Sequence, residues 1–153
     1  MNRKIQVRYA QEVDAQNVSM LIYTTSQTCC FTAEQPCPNW FEESVNSNHI
    51  AKYIGDVKMD WLVAVNGNNL VGVLAVSERS HVKYFFVDPS YQGRGIGKAL
   101  WDTAAQKGIL GNQLTVRSSL NAVPIYESLG FISVDPPKIF EGLHFQSMVA
   151  KNS

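Results

Sequence analysis

Apolar and polar residues alternate at period two in Ile5-Gln6-Val7-Arg8-Tyr9, which predicts a short half-buried strand. The period then lengthens. From Glu12 to Thr25 the residues Val18, Leu21, Ile22 and Thr25 recur at helical spacing, Ala15 extends the stripe, and Asp14, Gln16 and Asn17 fall on the opposite face. Residues 26–60 carry a weaker pattern. Thr32-Ala33-Glu34-Gln35 reads as a capping box punctuated by Pro36 and Pro38, with a helix predicted through Trp40, Phe41 and Val45 and another from Asn48 to Ile54. Two apolar runs follow, Trp61 to Val65 and Leu70 to Ser77, separated by Asn66-Gly67-Asn68-Asn69, whose Asn-Gly pair suits a hairpin turn. A further strand runs from His81 to Val87 and stops at Asp88-Pro89, since proline cannot donate to a sheet ladder. A helix begins near Gly97, with Ile96, Ala99, Leu100, Thr103 and Ala104 on one face and Gly108 placed to end it. The remainder reads as a strand from Gln113 to Ser118, a helix from Asn121 to Leu129 with Asn121 as its N-cap, and a strand from Phe131 to Val134. After a loop bracketed by Pro136-Pro137 and Gly142, a last strand runs from Leu143 to Ala150. This order implies an α/β (α+β) domain with a mixed, mostly antiparallel sheet of about seven strands flanked by about four helices.

Composition narrows the class. A chain of 153 residues, 45% of them hydrophobic and with no internal repeat or linker, makes one domain with a core of its own. Thirteen basic and thirteen acidic residues give zero formal charge, which argues against nucleic acid as a partner. The apolar run Trp61 to Val65 is far short of a membrane span, and Met1-Asn2-Arg3-Lys4 leads into alternating residues rather than a signal-peptide core, so the expected setting is the cytoplasm. Cys29, Cys30 and Cys37 lack a CxxC or finger-type spacing and are read as reduced structural thiols, with no metal site expected.

The chemistry is concentrated in Val87-Asp88-Pro89-Ser90-Tyr91-Gln92-Gly93-Arg94-Gly95-Ile96-Gly97-Lys98. Three glycines at alternate positions between a strand and a helix leave backbone N–H groups uncovered at a helix N-terminus, where an anion is favoured. A dinucleotide fingerprint would need glycine where Lys98 stands. A Walker-type loop would need glycine at Gln92 and a hydroxyl at Ala99.

Gln92-Gly93-Arg94-Gly95-Ile96-Gly97 resembles the Gln/Arg-x-x-Gly-x-Gly/Ala signature of the GNAT superfamily of N-acetyltransferases. A second block, Asn121-Ala122-Val123-Pro124-Ile125-Tyr126-Glu127-Ser128-Leu129-Gly130-Phe131, resembles that family's second cofactor motif. The resemblance covers residues 61–150 as a cofactor-binding core and fits 1–60 loosely, as acceptor-side helices. It implies the GNAT fold, with splayed central strands binding acetyl-CoA. Gly93, Gly95, Ile96 and Gly97 would hold the pyrophosphate, with Arg94 and Lys98 adding charge and Gln92 completing the motif. The backbone groups of Phe86 and Val87 would pair with the pantetheine arm, and Asn121 would touch the cofactor.

The resemblance also implies roles at the reacting centre. Tyr126 stands where family members protonate the departing sulfur. His81, eleven positions before Gln92, stands where several place a base, with water as the alternative and Glu78 as the runner-up. The Val87 N–H is the expected oxyanion donor. The acceptor is a small-molecule or peptide amine, expected between the first helices and the loop Phe140-Glu141-Gly142, and a homodimer is common in the family. Glu34, Glu42, Glu43 and Asp60 are read as solvated surface, Trp40 and Phe41 as core packing, and His49 and His144 as structural or exposed. Two functions follow: direct acetyl transfer to an amine in a ternary complex, or a non-catalytic acyl-CoA-binding module of the same fold.

Overall fold

The computed structural model describes residues 5–29 and 37–151, and of Thr28 and Cys29 the backbone only. The elements are β1 (Ile5–Tyr9), α1 (Ala15–Cys29), α2 (Asn39–Ser44), α3 (Ser47–Ile54), β2 (Met59–Asn66), β3 (Asn69–Ser77), β4 (His81–Val87), α4 (Ile96–Gln106), β5 (Gln113–Ser118), α5 (Val123–Ser128), β6 (Ile132–Ser133), β7 (Lys138–Phe140) and β8 (Leu143–Lys151). The strands form an eight-stranded sheet of order β1-β2-β3-β4-β5-β8-β6, with β7 paired to β8 off that path. All neighbours are antiparallel except β4 and β5. The strand β7 falls in the segment expected to be a loop, because Pro136-Pro137 hides a three-residue pairing to β8. The capping-box segment Thr32 to Gln35, together with Cys30, Glu34 and Pro36, lies outside the described residues.

The central strands are apolar without alternation because helices cover both faces. Leu62, Ala64, Leu74 and Val82 pack with Leu100, Ala104 and Phe131 on the α4 side. Trp61, Val63, Val73, Ala75 and Tyr84 pack with Val18, Ile22 and Ile50 on the α1 and α3 side. Removing a fully buried side chain of this kind, such as Leu100, costs about 2–5 kcal/mol. Gly72 lets α4 approach the sheet: a Cβ there would lie 3.0 Å from Leu100 Cδ1 and 3.2 Å from Ile96 Cγ2.

Asp14, which periodicity puts on the solvent face, is buried. It precedes α1 in a 3-10 turn over Glu12–Asp14 and takes two hydrogen bonds from Arg8, at 2.8 and 3.0 Å, and one from Gln11 N–H at 2.7 Å. The Arg8 hydrogen bond holds its carboxyl below the usual carboxylate range, so β1 and the start of α1 are tied by a charged, bidentate contact. Among the described residues no helix is long and apolar enough to cross a membrane.

Candidate active site

The site begins at an irregularity in β4. Val82 opposes Val76 and Tyr84 opposes Ala75, so Lys83 has no partner on β3 and forms a bulge. The parallel pairing to β5 ends at the same point, after His81 with Thr115 and Val82 with Val116. Beyond it the strands diverge, and the β5-facing edge of Lys83–Val87 opens into a cleft of about 770 Å³. The bulge also turns Val82 and Tyr84, two residues apart, to opposite sides of the sheet.

Peptide groups along this edge alternate. Asp88 N–H donates to Val71 O at 2.8 Å, which makes the Val87 pair with Gly72 a non-hydrogen-bonded one and directs its N–H and C=O away from β3. By the same alternation the peptide groups of Phe85 face the open edge, whereas those of Phe86 face Val73. The expectation for Phe86 is thereby corrected: its ring lines the cleft, but its backbone belongs to the β3 ladder. Gln92 Nε2 donates to Val87 O at 3.2 Å and fastens the turn back onto the end of the strand.

The turn itself is built by Asp88, whose Oδ1 accepts from Ser90 N–H at 2.8 Å, and by a 3-10 turn at Pro89–Tyr91. Gly93 and Gly95 take φ of 81° and 79°, a region that side chains with a Cβ adopt at a cost of about 1–2 kcal/mol, and a Cβ at either would meet nothing within 4 Å. Gly95 caps α4 and accepts its first hydrogen bond, from Ala99 N–H at 3.0 Å. The N–H groups of Ile96, Gly97 and Lys98 precede that bond and belong to the donors a helix cannot satisfy internally. Gly93, Gly95, Ile96 and Gly97 line the cleft; Arg94 and Lys98 do not. The Arg94 guanidinium lies 5.1 Å from the Tyr91 ring centroid, and Lys98 Nζ pairs with Asp102 at 2.8 Å on the exposed face of α4. Their charge therefore acts from beside the turn, not from its lining.

Tyr126 is 6% exposed and lines the cleft. Three other rings fix it in a closed circuit: Phe85 to Trp101 at 5.7 Å, Trp101 to Phe131 at 5.9 Å, Phe131 to Tyr126 at 5.4 Å and Tyr126 back to Phe85 at 6.1 Å. The aromatic ring of the strand before the glycine turn thus sets the position of a phenol on α5. Asn121 lines the cleft but is not the helix cap: it sits inside a 3-10 turn, Leu120–Ala122, and Ala122 takes the cap position of α5, with Pro124 in the first turn.

His81 opens the two-residue pairing of β4 with β5, with Nδ1 2.8 Å from Thr115 Oγ1. Burial pushes its pKa below 6.5, and the nearby positive charges of Arg117 and Lys83 push it the same way, so the ring is neutral at physiological pH. Glu78, the other base weighed, sits in the β3–β4 hairpin at φ 52° and does not line the cleft.

Trp40 and Phe41, read from sequence as core packing, wall the far side of the cleft. Trp40 Nε1 donates to Glu141 O at 3.0 Å, and its ring meets Phe140 at 5.6 Å and Phe41 at 6.0 Å, so the short helix α2 is joined to the β7–β8 turn across the opening. Glu42, Glu43 and Asp60 do not line the cleft, and Asp60 pairs with Arg79 at 3.5 Å. His49 is structural, its Nδ1 2.8 Å from Glu43 O. His144 lines the cleft and buries Nε2 without a hydrogen-bond partner. Lys83, Arg117, Ser119 and Tyr84 also line it and lie outside both sequence motifs; only the bulge and the strand divergence bring them together. Cys37 is a free thiol whose pKa is raised by burial, which keeps it protonated, and it does not line the cleft.

The acetyltransferase (GNAT) domain model matches residues 10–152. The chain belongs to the GNAT acetyltransferase family. A search of the curated proteins found none that matches. Among solved structures, this GNAT chain is similar to a GCN5-related N-acetyltransferase from Rhodopseudomonas palustris at 20% identity and TM-score 0.80, with 99% of each chain covered. It is also similar to the PaiA N-acetyltransferase from Thermoplasma acidophilum in complex with coenzyme A, at 18% identity and TM-score 0.78, covering 97% of this chain and 99% of that one. An aminoglycoside 6'-N-acetyltransferase complexed with coenzyme A aligns at 13% identity and TM-score 0.68, over 95% of this chain and 96% of that one. These likenesses establish the GNAT fold, with an open, mostly antiparallel sheet parting at β4 and β5.

Proposed function

We propose that this acetyltransferase moves an acetyl group from acetyl-CoA to the nitrogen of a primary amine by direct attack within a ternary complex. The observation that carries the reading is the wedge between β4 and β5, which opens at the Lys83 bulge, runs along free peptide groups and ends on the glycine turn. The turn suits a pyrophosphate, since Gly93 and Gly95 leave open space in front of uncommitted N–H groups at the start of α4. The edge of β4 suits the peptide-like pantetheine arm, with Phe85 offering its N–H and C=O and Val87 its N–H, as a sheet edge offers them to an added strand, while the Val87 carbonyl is taken by Gln92.

Acetyl-CoA, when bound, supplies the thioester that a neutral amine attacks. The amine must lose one proton and the departing sulfur must gain one. His81, held neutral, is the acceptor for the first, directly or through water. Tyr126, fixed by its ring circuit, is the donor for the second. The oxyanion donor in this reading is the N–H of Phe85 rather than that of Val87, because the peptide groups of Phe85 face the open edge and lie about 7 Å closer to the bulge and His81 than those of Val87.

A thiol-release assay with acetyl-CoA and a panel of amines tests the reading. Acceptor-dependent thiol release that falls in Tyr126→Phe, with coenzyme A affinity retained, supports it. Coenzyme A binding without turnover on any amine favours the acyl-CoA-binding module instead.

A further inference from the structure

The acceptor end of the cleft has a chemistry of its own. Its walls are aromatic, from Trp40, Phe41, Tyr53, Tyr84 and Phe140. The charged side chains lining it, among the described residues, are Lys83 and Arg117; no aspartate or glutamate of those residues faces it. Elsewhere Arg8, Arg79, Lys98 and Lys138 each pair with a carboxylate. Lys83 and Arg117 instead lie over rings: Lys83 Nζ is 5.4 Å from the Tyr53 centroid and 5.9 Å from that of Tyr84, and Arg117 is 5.4 Å from that of Phe145.

Both cations flank the reacting centre. Lys83 follows His81 by two residues on β4, and Arg117 follows Thr115, which holds His81, by two residues on the parallel neighbour β5. They do not serve the phosphates, since the glycine turn starts beyond Val87, about 13 Å of strand away from Lys83. An oligocationic acceptor would meet repulsion here. An anionic group close to the reacting amine would meet two charge-assisted donors.

Resting on the transferase reading, we infer that the acceptor is a small amine of amino-acid type, with an aromatic or large apolar body against Trp40 and Phe41 and a carboxylate held between Lys83 and Arg117. The same charges disfavour polyamines and aminoglycosides as acceptors.

The test is calorimetric, with product-like ligands that differ only in the carboxylate. N-acetyl-L-phenylalanine and N-acetylphenethylamine are titrated into the full chain without and with coenzyme A, beside spermidine. The acid is expected to bind at least about tenfold more tightly than its decarboxylated partner. Lys83→Met and Arg117→Met should each shrink that ratio while coenzyme A affinity, measured on the same samples, shows both variants to be folded. Equal affinities, a tighter spermidine complex, no binding of either ligand, or a ratio unchanged in both variants overturns the inference. Failure of coenzyme A itself to bind is a separate result, which overturns the transferase reading whatever the acid does.

Discussion

The two ends of the cleft are built on different physical terms. At the turn end the binding groups are peptide N–H and C=O groups, set by the alternation of β4, the left-handed glycines and the start of α4, and side chains matter mainly where they are absent. At the acceptor end the binding groups are side chains from α1, α2, α3, the bulge, β5, β7 and β8, gathered from positions as distant as Trp40 and Phe140. A backbone site recognises a ligand common to many enzymes and requires a fixed local sequence. A side-chain site can be rewritten residue by residue while the frame stays the same. Tyr126 and His81 stand between the two ends, and His81 is coupled to the acceptor end through the charges of Arg117 and Lys83.

That division can be broken in graded ways. The largest effect should come from Tyr126→Phe, which removes the proton donor and keeps the ring circuit: kcat should fall by about 10²–10⁴ with coenzyme A affinity unchanged. A comparable loss of affinity would make Tyr126 part of the binding surface instead. His81→Ala should lower kcat/KM by about 10²-fold at neutral pH. In the native protein the neutral ring is the active form and its pKa is depressed by burial, Arg117 and Lys83. The acidic limb of the pH–rate profile should therefore lie below that of an unperturbed imidazole. Arg117→Gln should move that acidic limb upward, and a pH–rate profile unchanged by both substitutions would remove His81 from the proton path. Trp40→Ala takes a wall from the acceptor end, so acceptor KM should rise about tenfold while coenzyme A affinity stays within about twofold. The smallest change belongs to Lys98→Ala, whose exposed pair with Asp102 lies outside the cleft lining: coenzyme A affinity should weaken by about threefold or less, and less still at high salt.

The same division explains what could be read from the chain. Alternation in Ile5 to Tyr9, the apolar runs flanking Gly67, the stop at Asp88-Pro89 and the stripe on α4 are local signals, and the order of elements followed from them. The glycine turn was legible because positive φ and a helix start are written in consecutive residues. Three kinds of feature were not. Asp14 is polar yet buried, since its partner Arg8 comes from a different element. Asn121 has the composition of a cap, but a 3-10 turn displaces the helix start to Val123. Lys83, Arg117, Trp40 and His144 converge only because β4 bulges and parts from β5, a non-local event that no spacing in the sequence encodes.

The most direct measurement is a calorimetric titration of coenzyme A into the native protein and into Gly95→Val, with circular dichroism on both. Valine at φ 79° disturbs the turn that caps α4 but leaves β4, Tyr126 and the acceptor walls in place. The account predicts one-to-one binding to the native chain and at least about a tenfold loss in the variant, with the folded spectrum retained. Equal affinity in the two proteins, or no binding to the native chain, would contradict it.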